Sequence, residues 1–313
     1  MRSTWLYRCL ELSLSVAFLA YLTPKQPVRA SQTPNLFANN PTSKKFLLSQ
    51  TIPDDTLGNE SSVVTPDAEV KGSPAELISG GAQRGENLFH SFTEFNVGGG
   101  QQVYFANPTG IENILTRVTG ENLSNIFGTL GVNGAANLFL LNPNGIVFGA
   151  NARLDVNGSF LASTAQSALL ENGVEFGTKN PQAPPLLAVK MPLGLQLGND
   201  SAPIQVNDAR LEVNPNQNLA LIGGNVEIDR SSISAPGGRV DLGGLSAAGT
   251  VNLQEDGSKS FPDGIARSDI SLTNGAEVDV RAGGGGFIDV NARNLLLSGQ
   301  SSLFAGVAEG MGM

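Results

Sequence analysis

Turn-forming residues cut this chain into short strand-like runs, and that punctuation limits the folds open to it. Residues 137–164, NLFLLNPNGIVFGANARLDVNGSFLAST, begin as the apolar run Leu138 to Leu141. They break at Asn142-Pro143-Asn144-Gly145 and resume at once as Ile146-Val147-Phe148. Asn at the first position of a turn, Pro at the second and Gly at the fourth suit type I geometry, while Asn at the third also permits type II. The pattern reads as strand, tight turn, strand. It recurs in SVVTP, AELISGG, NLFHSFTEFNV, QQVYFANPTG, NILTRVTG and LSNIFGTLGV. No segment of useful length carries a 3.6-residue apolar period with caps; LASTAQSALL, Leu161 to Leu170, is the best short-helix candidate. The 38 glycines, with 15% charged and 6% aromatic residues, suit a turn-dense β protein rather than a helical bundle.

Two segments echo each other. SAPGGRVDLGG (234–244) and RAGGGGFIDVNA (281–292) share Gly-Gly, one variable residue and an apolar-Asp-apolar triplet, so Val240-Asp241-Leu242 matches Ile288-Asp289-Val290. ARLDVNGS (152–159) offers a looser third copy at Leu154-Asp155-Val156. The two close copies lie about 48 residues apart, two turns of a coil of about 24, and self-similarity at such periods marks a solenoid. In a parallel β-helix each turn stacks about 4.8 Å above the last around a shared core, so the chain past its leader would supply roughly ten turns. Gly and Asn would fall at corners, where positive φ is tolerated. A β-sandwich would also turn every ~8–12 residues, but its strands should alternate polar and apolar more cleanly than Leu138-Phe139-Leu140-Leu141 does. The proline-rich stretch 178–203 is expected to be a surface excursion or a break in strand register.

The N-terminus has the layout of a leader. Arg2 and Arg8 precede an apolar core, Leu12 to Leu22, and Val28 and Ala30 place small residues ahead of a cleavage point between Ala30 and Ser31. A core that short does not cross a bilayer of roughly 30 Å. Residues 1–30 are therefore expected to be a secretory signal peptide, with an uncleaved anchor as the alternative, and 31–50 a linker. No later stretch suggests stable membrane insertion. The one cysteine, Cys9, lies in the leader. The remainder would thus enter a disulfide-permissive compartment with no disulfide to form. Either its core is large enough to hold alone, or a chain without covalent loops is suited to threading through a pore. A net charge of −9 argues against a nucleic-acid surface.

Chemistry-bearing constellations are sparse. His90 is the one histidine, close in sequence to Ser91 and Glu94 but flanked by Phe89 and Phe92, and reads as structural. GGGGFIDV (283–290) approaches a calcium-binding repeat, but Asp289 falls one residue late and the unit is not iterated. No cofactor and no metal are expected. The Asn-x-Ser triplets at Asn59, Asn122, Asn157 and Asn199 are assigned no role. Asp155, Asp241, Asp279 and Asp289 are the carboxylates a glycan-cleaving groove would need, and the repeat puts Asp241 and Asp289 in one solvated, outward-facing column.

With these residues in view, the chain resembles the two-partner secretion domain, or filamentous haemagglutinin N-terminal domain, of TpsA-type exoproteins. The likeness rests on IPDDTLGNESSVV, ISGGAQRGENLFHSFTEFNVGGGQQVYFANPTGIENILTRVTG and SNIFGTLGVNGAANLFLLNPNGIVFGANARLDVNGSFLAST. Asn142-Pro143-Asn144-Gly145-Ile146 matches the family's second hallmark. Its first, Asn-Pro-Asn-Leu, corresponds to Asn107-Pro108-Thr109-Gly110, which keeps only Asn107 and Pro108. The resemblance implies an all-β fold, a right-handed parallel β-helix with a few short antiparallel extra strands. The secretion domain would occupy 51–175, and 176–313 would continue the coils as a shortened member or a fragment. It implies a secretion signal and folding nucleus for a secreted or cell-surface, adhesin-like exoprotein that is not an enzyme. After export to the periplasm, the POTRA domains of an outer-membrane β-barrel transporter would recognise the chain, which would fold outside. Surface glycans or proteins of a host or neighbouring cell would be further partners. Asn-Pro-Asn-Gly is then a corner, a signal read by the transporter, or both. Two rivals stand beside this reading: a secreted β-helix polysaccharide lyase or hydrolase, and a structural surface-assembly protein.

Overall fold

A computed structural model describes residues 51–185 and 192–307. The expected leader, the cleavage point between Ala30 and Ser31, and the linker to residue 50 lie outside the described residues. Successive coils each pass through three parallel sheets. The first sheet stacks Asn87–Phe95, Asn113–Val118, Asn137–Leu141, Phe160–Ser163, Asn218–Gly223, Arg239–Gly244 and Phe287–Asn291. The second runs from Ser124–Ile126 through Ile146–Phe148 to Leu295–Leu297, and the third from Gln102–Ala106 through Arg153–Asp155 to Ser302–Phe304. The spiral of stacked parallel rungs expected from the repeat is the fold of the described residues, but it carries a second core outside the coil as well as the one within it.

Register is set by burial, because a one-residue slip would turn every apolar side chain outward. Leu88, Ile114, Leu138, Phe160, Leu219, Val240 and Ile288 form one continuous column. With the inward residues of the other sheets, such as Leu130, Ile146, Phe148, Ile204 and Ile233, they build the main core. Each fully buried aliphatic or aromatic side chain contributes about 1.5–3 kcal/mol. Short antiparallel strands accompany the helix: Thr51–Pro53 against Asn87–Phe95, and the hairpin Ser62–Val70/Ser73–Gly80.

The unbroken run Leu138-Phe139-Leu140-Leu141 has a specific cause. Leu138 and Leu140 face the main core, whereas Phe139 and Leu141 belong to a second core on the outer side of the same sheet. That side is covered by an antiparallel sheet of Ser167–Leu169, Glu175–Gly177, Gly194–Leu197, Gly249–Leu253 and Lys259–Ser260. A strand buried on both faces needs no polar alternation. The covering strands come from two excursions, residues 164–185 with 192–203 and residues 245–269, which leave and rejoin at the corner between the first and second sheets.

These excursions correct three expectations. Among the described residues the first parallel sheet stacks seven strands, and both excursions lie outside the coil, so the residues they use do not add turns. Asp241 and Asp289 do share a register position, but on adjacent rungs rather than two turns apart, and Leu154-Asp155 sits on the third sheet beside Leu130 and Gly131. The helix candidate, Leu161 to Leu170, is instead strand, corner, strand (Phe160–Ser163 and Ser167–Leu169). Its Leu161, Ala165, Ala168 and Leu170 serve the second core.

On the third sheet, Tyr104 lies across Gly131 on the neighbouring rung. Its hydroxyl donates to Asp155 at 2.6 Å, and Lys71 at the hairpin tip reaches the same carboxylate at 2.8 Å. A Cβ at position 131 would stand 2.6 Å from Tyr104 Cδ1 and 2.8 Å from the Asp155 carbonyl oxygen. Gly131→Val is therefore expected to lower stability by about 1–3 kcal/mol through overpacking. The check is chemical denaturation, with Tyr104 fluorescence reporting the displaced ring.

Candidate functional site

The two Asn-Pro corners fall at different places on the coil. Asn142-Pro143-Asn144-Gly145 joins the first sheet to the second, and Asn107-Pro108-Thr109-Gly110 joins the third to the first. In the former, the Gly145 N–H donates to the Asn142 carbonyl at 3.2 Å, and Asn144 does not have positive φ, which makes the turn type I. Asn142 Oδ1 accepts from the Asn144 N–H at 3.0 Å, as asparagine does when it opens a turn.

The rest of this corner binds neighbouring coils. Asn142 Nδ2 donates to the Asn122 carbonyl and to Ser124 Oγ, both at 3.0 Å, and Asn144 Nδ2 donates to the Gly120 carbonyl at 2.7 Å. On the opposite side, the Asn142 N–H meets the Ser163 carbonyl at 3.0 Å and the Ile146 N–H the Pro203 carbonyl at 3.3 Å. Ile146 is buried in a column with Ser124 and Ile204. Asn142 is fully buried, Pro143 half-buried, and only Asn144 is exposed. Asn144 also borders an open cleft of about 760 Å³ lined by Ile52, Glu94, Asn96, Glu121 and Leu123 among others.

The second corner works by the same means. Asn107 Oδ1 accepts from the Ala135 and Ala136 N–H groups at 2.9 and 3.0 Å, on the next coil, while its Nδ2 donates to the Ile111 carbonyl at 2.9 Å. The departure from the family pattern has a local reason: the turn is closed by the Ile111 N–H on the Pro108 carbonyl, and Gly110 sits at φ 84°. That third turn position requires positive φ, which glycine supplies without a Cβ clash.

Sequence reasoning missed an asparagine ladder at the head of the first sheet. Asn113 Nδ2 donates to Asn87 Oδ1 at 3.1 Å, Asn137 Nδ2 to Asn113 Oδ1 at 2.9 Å, and Asn137 Oδ1 accepts from the Ser159 N–H at 2.8 Å. The signal was present as an Asn opening each of three apolar runs, 26 and 24 residues apart.

The carboxylates weighed for catalysis do not converge. Asp155 and Asp279 lie on the third sheet, separated by the strands Arg210–Glu212 and Ser232–Ser234, and are paired with Lys71 and Arg281. Asp241 and Asp289 stand side by side on the first sheet, paired with Lys259 and Arg239. The solvated column holds for Asp289 alone. Asp241 is buried because the second excursion folds over it, and that burial raises its pKa. His90 is buried in the main core, with Nδ1 3.0 Å from Ser62 Oγ and its ring between Phe92 and Phe105. Burial lowers its pKa to about 3.

A parallel β-helix stapled coil to coil by corner asparagines, and thickened on one side by antiparallel excursions, defines the class of protein. The family comparison narrows it. The model described as TPS secretion domain matches residues 49–296, and the chain belongs to this family. Among solved structures, the HMW1 secretion domain from Haemophilus influenzae is similar at 20% identity and a TM-score of 0.50. The alignment covers 83% of this chain and 65% of that one, so this chain spans just under two thirds of that relative's length. The filamentous hemagglutinin secretion domain aligns at 13% identity and a TM-score of 0.39, over 83% of this chain and 100% of that one. No curated protein sequence matches.

Proposed function

We propose that this domain is the export signal and folding nucleus of a haemagglutinin-like exoprotein. The leader delivers the chain to the periplasm, the POTRA domains of a partner outer-membrane β-barrel transporter bind it there, and it folds outside the cell. The exoprotein is then secreted or held at the cell surface, with an adhesive role toward surface glycans or proteins. Membership of a secretion-domain family supports the export role. The state of Asn142 carries the mechanism. In the folded domain its side chain is fully buried, and both its amide nitrogen and its oxygen are engaged within the coils. A transporter can therefore read Asn142 only before the corner closes. The same four residues serve two readers in succession, first the transporter and then the neighbouring coils.

Asn142→Ala tests this reading. The substitution leaves the Asn144 N–H and the Asn122 carbonyl without their partner, which predicts a loss of about 2–3 kcal/mol in urea unfolding. Secretion in cells carrying the partner transporter should fall with it. A control variant of matched stability, Gly131→Val, separates the two readers: if it is secreted normally while Asn142→Ala is not, the transporter reads the asparagine itself. If Asn142→Ala is exported as well as the parent chain, the proposal fails.

A further inference from the structure

The cover over the outer face of the first sheet leaves a concavity, at whose floor Phe139, Leu161 and Ala220 are 8%, 5% and 2% exposed. Beside the hairpin Gly249–Leu253/Lys259–Ser260, a cavity of about 280 Å³ opens over three consecutive coils. Phe139, Leu161 and Ala220 form its floor. They occupy one register column and so rise by about 4.8 Å per coil. Leu253 adds to the apolar surface, and Asn218, Gln254, Glu255 and Asp256 supply a polar rim.

The free hydrogen-bonding groups of that rim define what it can hold. The side chains of Asn218, Gln254 and Glu255 have no hydrogen-bond partner among the described residues, and Asp256 commits only Oδ1, to Ser258. The lining's one cation, Lys259, is consumed by Asp241 at 3.1 Å and by the Gly257 carbonyl. An anionic ligand would meet two carboxylates and no available positive charge. A bare metal ion would find an apolar floor where it needs oxygen ligands. Amides that both donate and accept, together with carboxylates that accept, suit a ligand rich in hydroxyl donors. A mostly apolar concavity with a few convergent polar groups is the usual form of a small-molecule site.

We infer that this cavity is a binding site for a neutral pyranose sugar. One face of the ring, bearing its C–H groups, lies on Phe139, Leu161 and Ala220, and its hydroxyls meet Asn218, Gln254, Glu255 and Asp256. The site rests on the cavity alone and does not depend on the export reading.

The test uses the full chain, refolded, with saturation-transfer NMR and calorimetry. The probes are methyl glucopyranoside, methyl galactopyranoside and methyl N-acetylglucosaminide, with benzyltrimethylammonium as a cationic, apolar comparison. At least one pyranoside is expected to bind with a millimolar Kd and to receive saturation at its ring C–H protons. Ala220→Trp, which fills the floor, should weaken binding at least tenfold. Because position 220 is buried, the exposed rim variant Gln254→Ala provides a second measurement that leaves the fold intact and should weaken binding several-fold. Glu227→Ala, on the outer face of the second sheet, should change nothing. The inference is overturned if no pyranoside gives a signal, if binding is unaffected by Gln254→Ala, or if benzyltrimethylammonium binds more tightly than every sugar.

Discussion

Replacing Arg117 by Ala is expected to lower the unfolding free energy by about 3–5 kcal/mol, the range for removing one partner from a buried charged network. Arg117 points outward from the first sheet yet is fully buried, because the first excursion and residues 54–60 close over it. Its Nε donates to Ser91 Oγ at 2.9 Å, Nη2 to Thr56 Oγ1 at 2.8 Å and Nη1 to the Gln182 carbonyl at 3.1 Å. The guanidinium also stacks 4.3 Å over the Phe176 ring. Desolvation lowers its pKa to about 10, with the nearby Asp54 carboxylate acting in the opposite direction, so it remains charged at neutral pH. Burial works against the charge on Asp54 as well, but hydrogen bonds from Thr119, Thr56 and Ser91 hold its pKa below the usual value. Arg84 repeats the arrangement: Nε meets the Pro184 carbonyl at 2.7 Å while Nη1 and Nη2 grip Glu60 at 2.9 and 2.7 Å.

Two guanidiniums thus bind the start of the domain and the proline-rich arm of the first excursion to the same coils. The outer face around Phe89 and Leu115 is complete only when that arm has joined it. Urea denaturation of Arg117→Ala provides the measurement. The double variant Asp54→Asn/Arg117→Met, which removes both charges and keeps apolar volume, should be destabilised less than Arg117→Ala, since no buried charge is left alone. A loss below about 1 kcal/mol for Arg117→Ala would place the pair among exposed bridges and refute its role as a fastener.

The coil was legible because its rules are local. A corner needs Asn, Pro and Gly at set positions, an inward strand residue must be apolar, and both are visible in Asn142 to Phe148. The coil length showed in the Gly-Gly and apolar-Asp-apolar echo, although the excursion between the two copies doubled the apparent spacing. The second core was not legible. Leu195, Leu197 and Val251 look like any strand residues, and their partners Phe139, Leu141 and Leu161 lie far away in the chain. The one trace was the failure of Leu138-Phe139-Leu140-Leu141 to alternate, which pointed away from a sandwich but did not say what covered the outer face. Asp241 was misjudged for the same reason. Its place in the column was readable, but its cover arrives from residues 249–260, which nothing local connects to it. At the candidate site, Asn142 and Asn107 were singled out as turn formers; their side-chain bonds to Asn122, Ser124, Ala135 and Ala136 depend on which coil lies next to which.

Between neutral and mildly acidic pH, stability is expected to be governed by His90, the one histidine in the chain. Burial holds its folded-state pKa at about 3, against 6.5 for the free side chain. The unfolded chain therefore binds the proton first. The stabilisation from keeping this ring neutral is complete above pH ~6.5 and drains as pH falls toward ~3, at about 1.4 kcal/mol per pH unit and about 4–5 kcal/mol in all. Among the described residues no charge offsets protonation and Nε2 has no hydrogen-bond partner; Nδ1 faces Ser62 Oγ, and the neighbouring rings are Phe92 and Phe105. Glu76 and Asp241 act in the opposite sense. Burial raises both carboxyl pKa values, so their protonation on acidification favours the folded state. Asp54 and Asp155 have lowered pKa values, and their contributions are lost only at pH below the ordinary carboxylate range. The decisive quantity is therefore the difference between the parent chain and His90→Leu. Urea unfolding of the parent should lose about 2 kcal/mol more than the variant between pH ~7 and ~5. Equal slopes would mean that the imidazole takes up its proton within the fold and that the core opens to accommodate it.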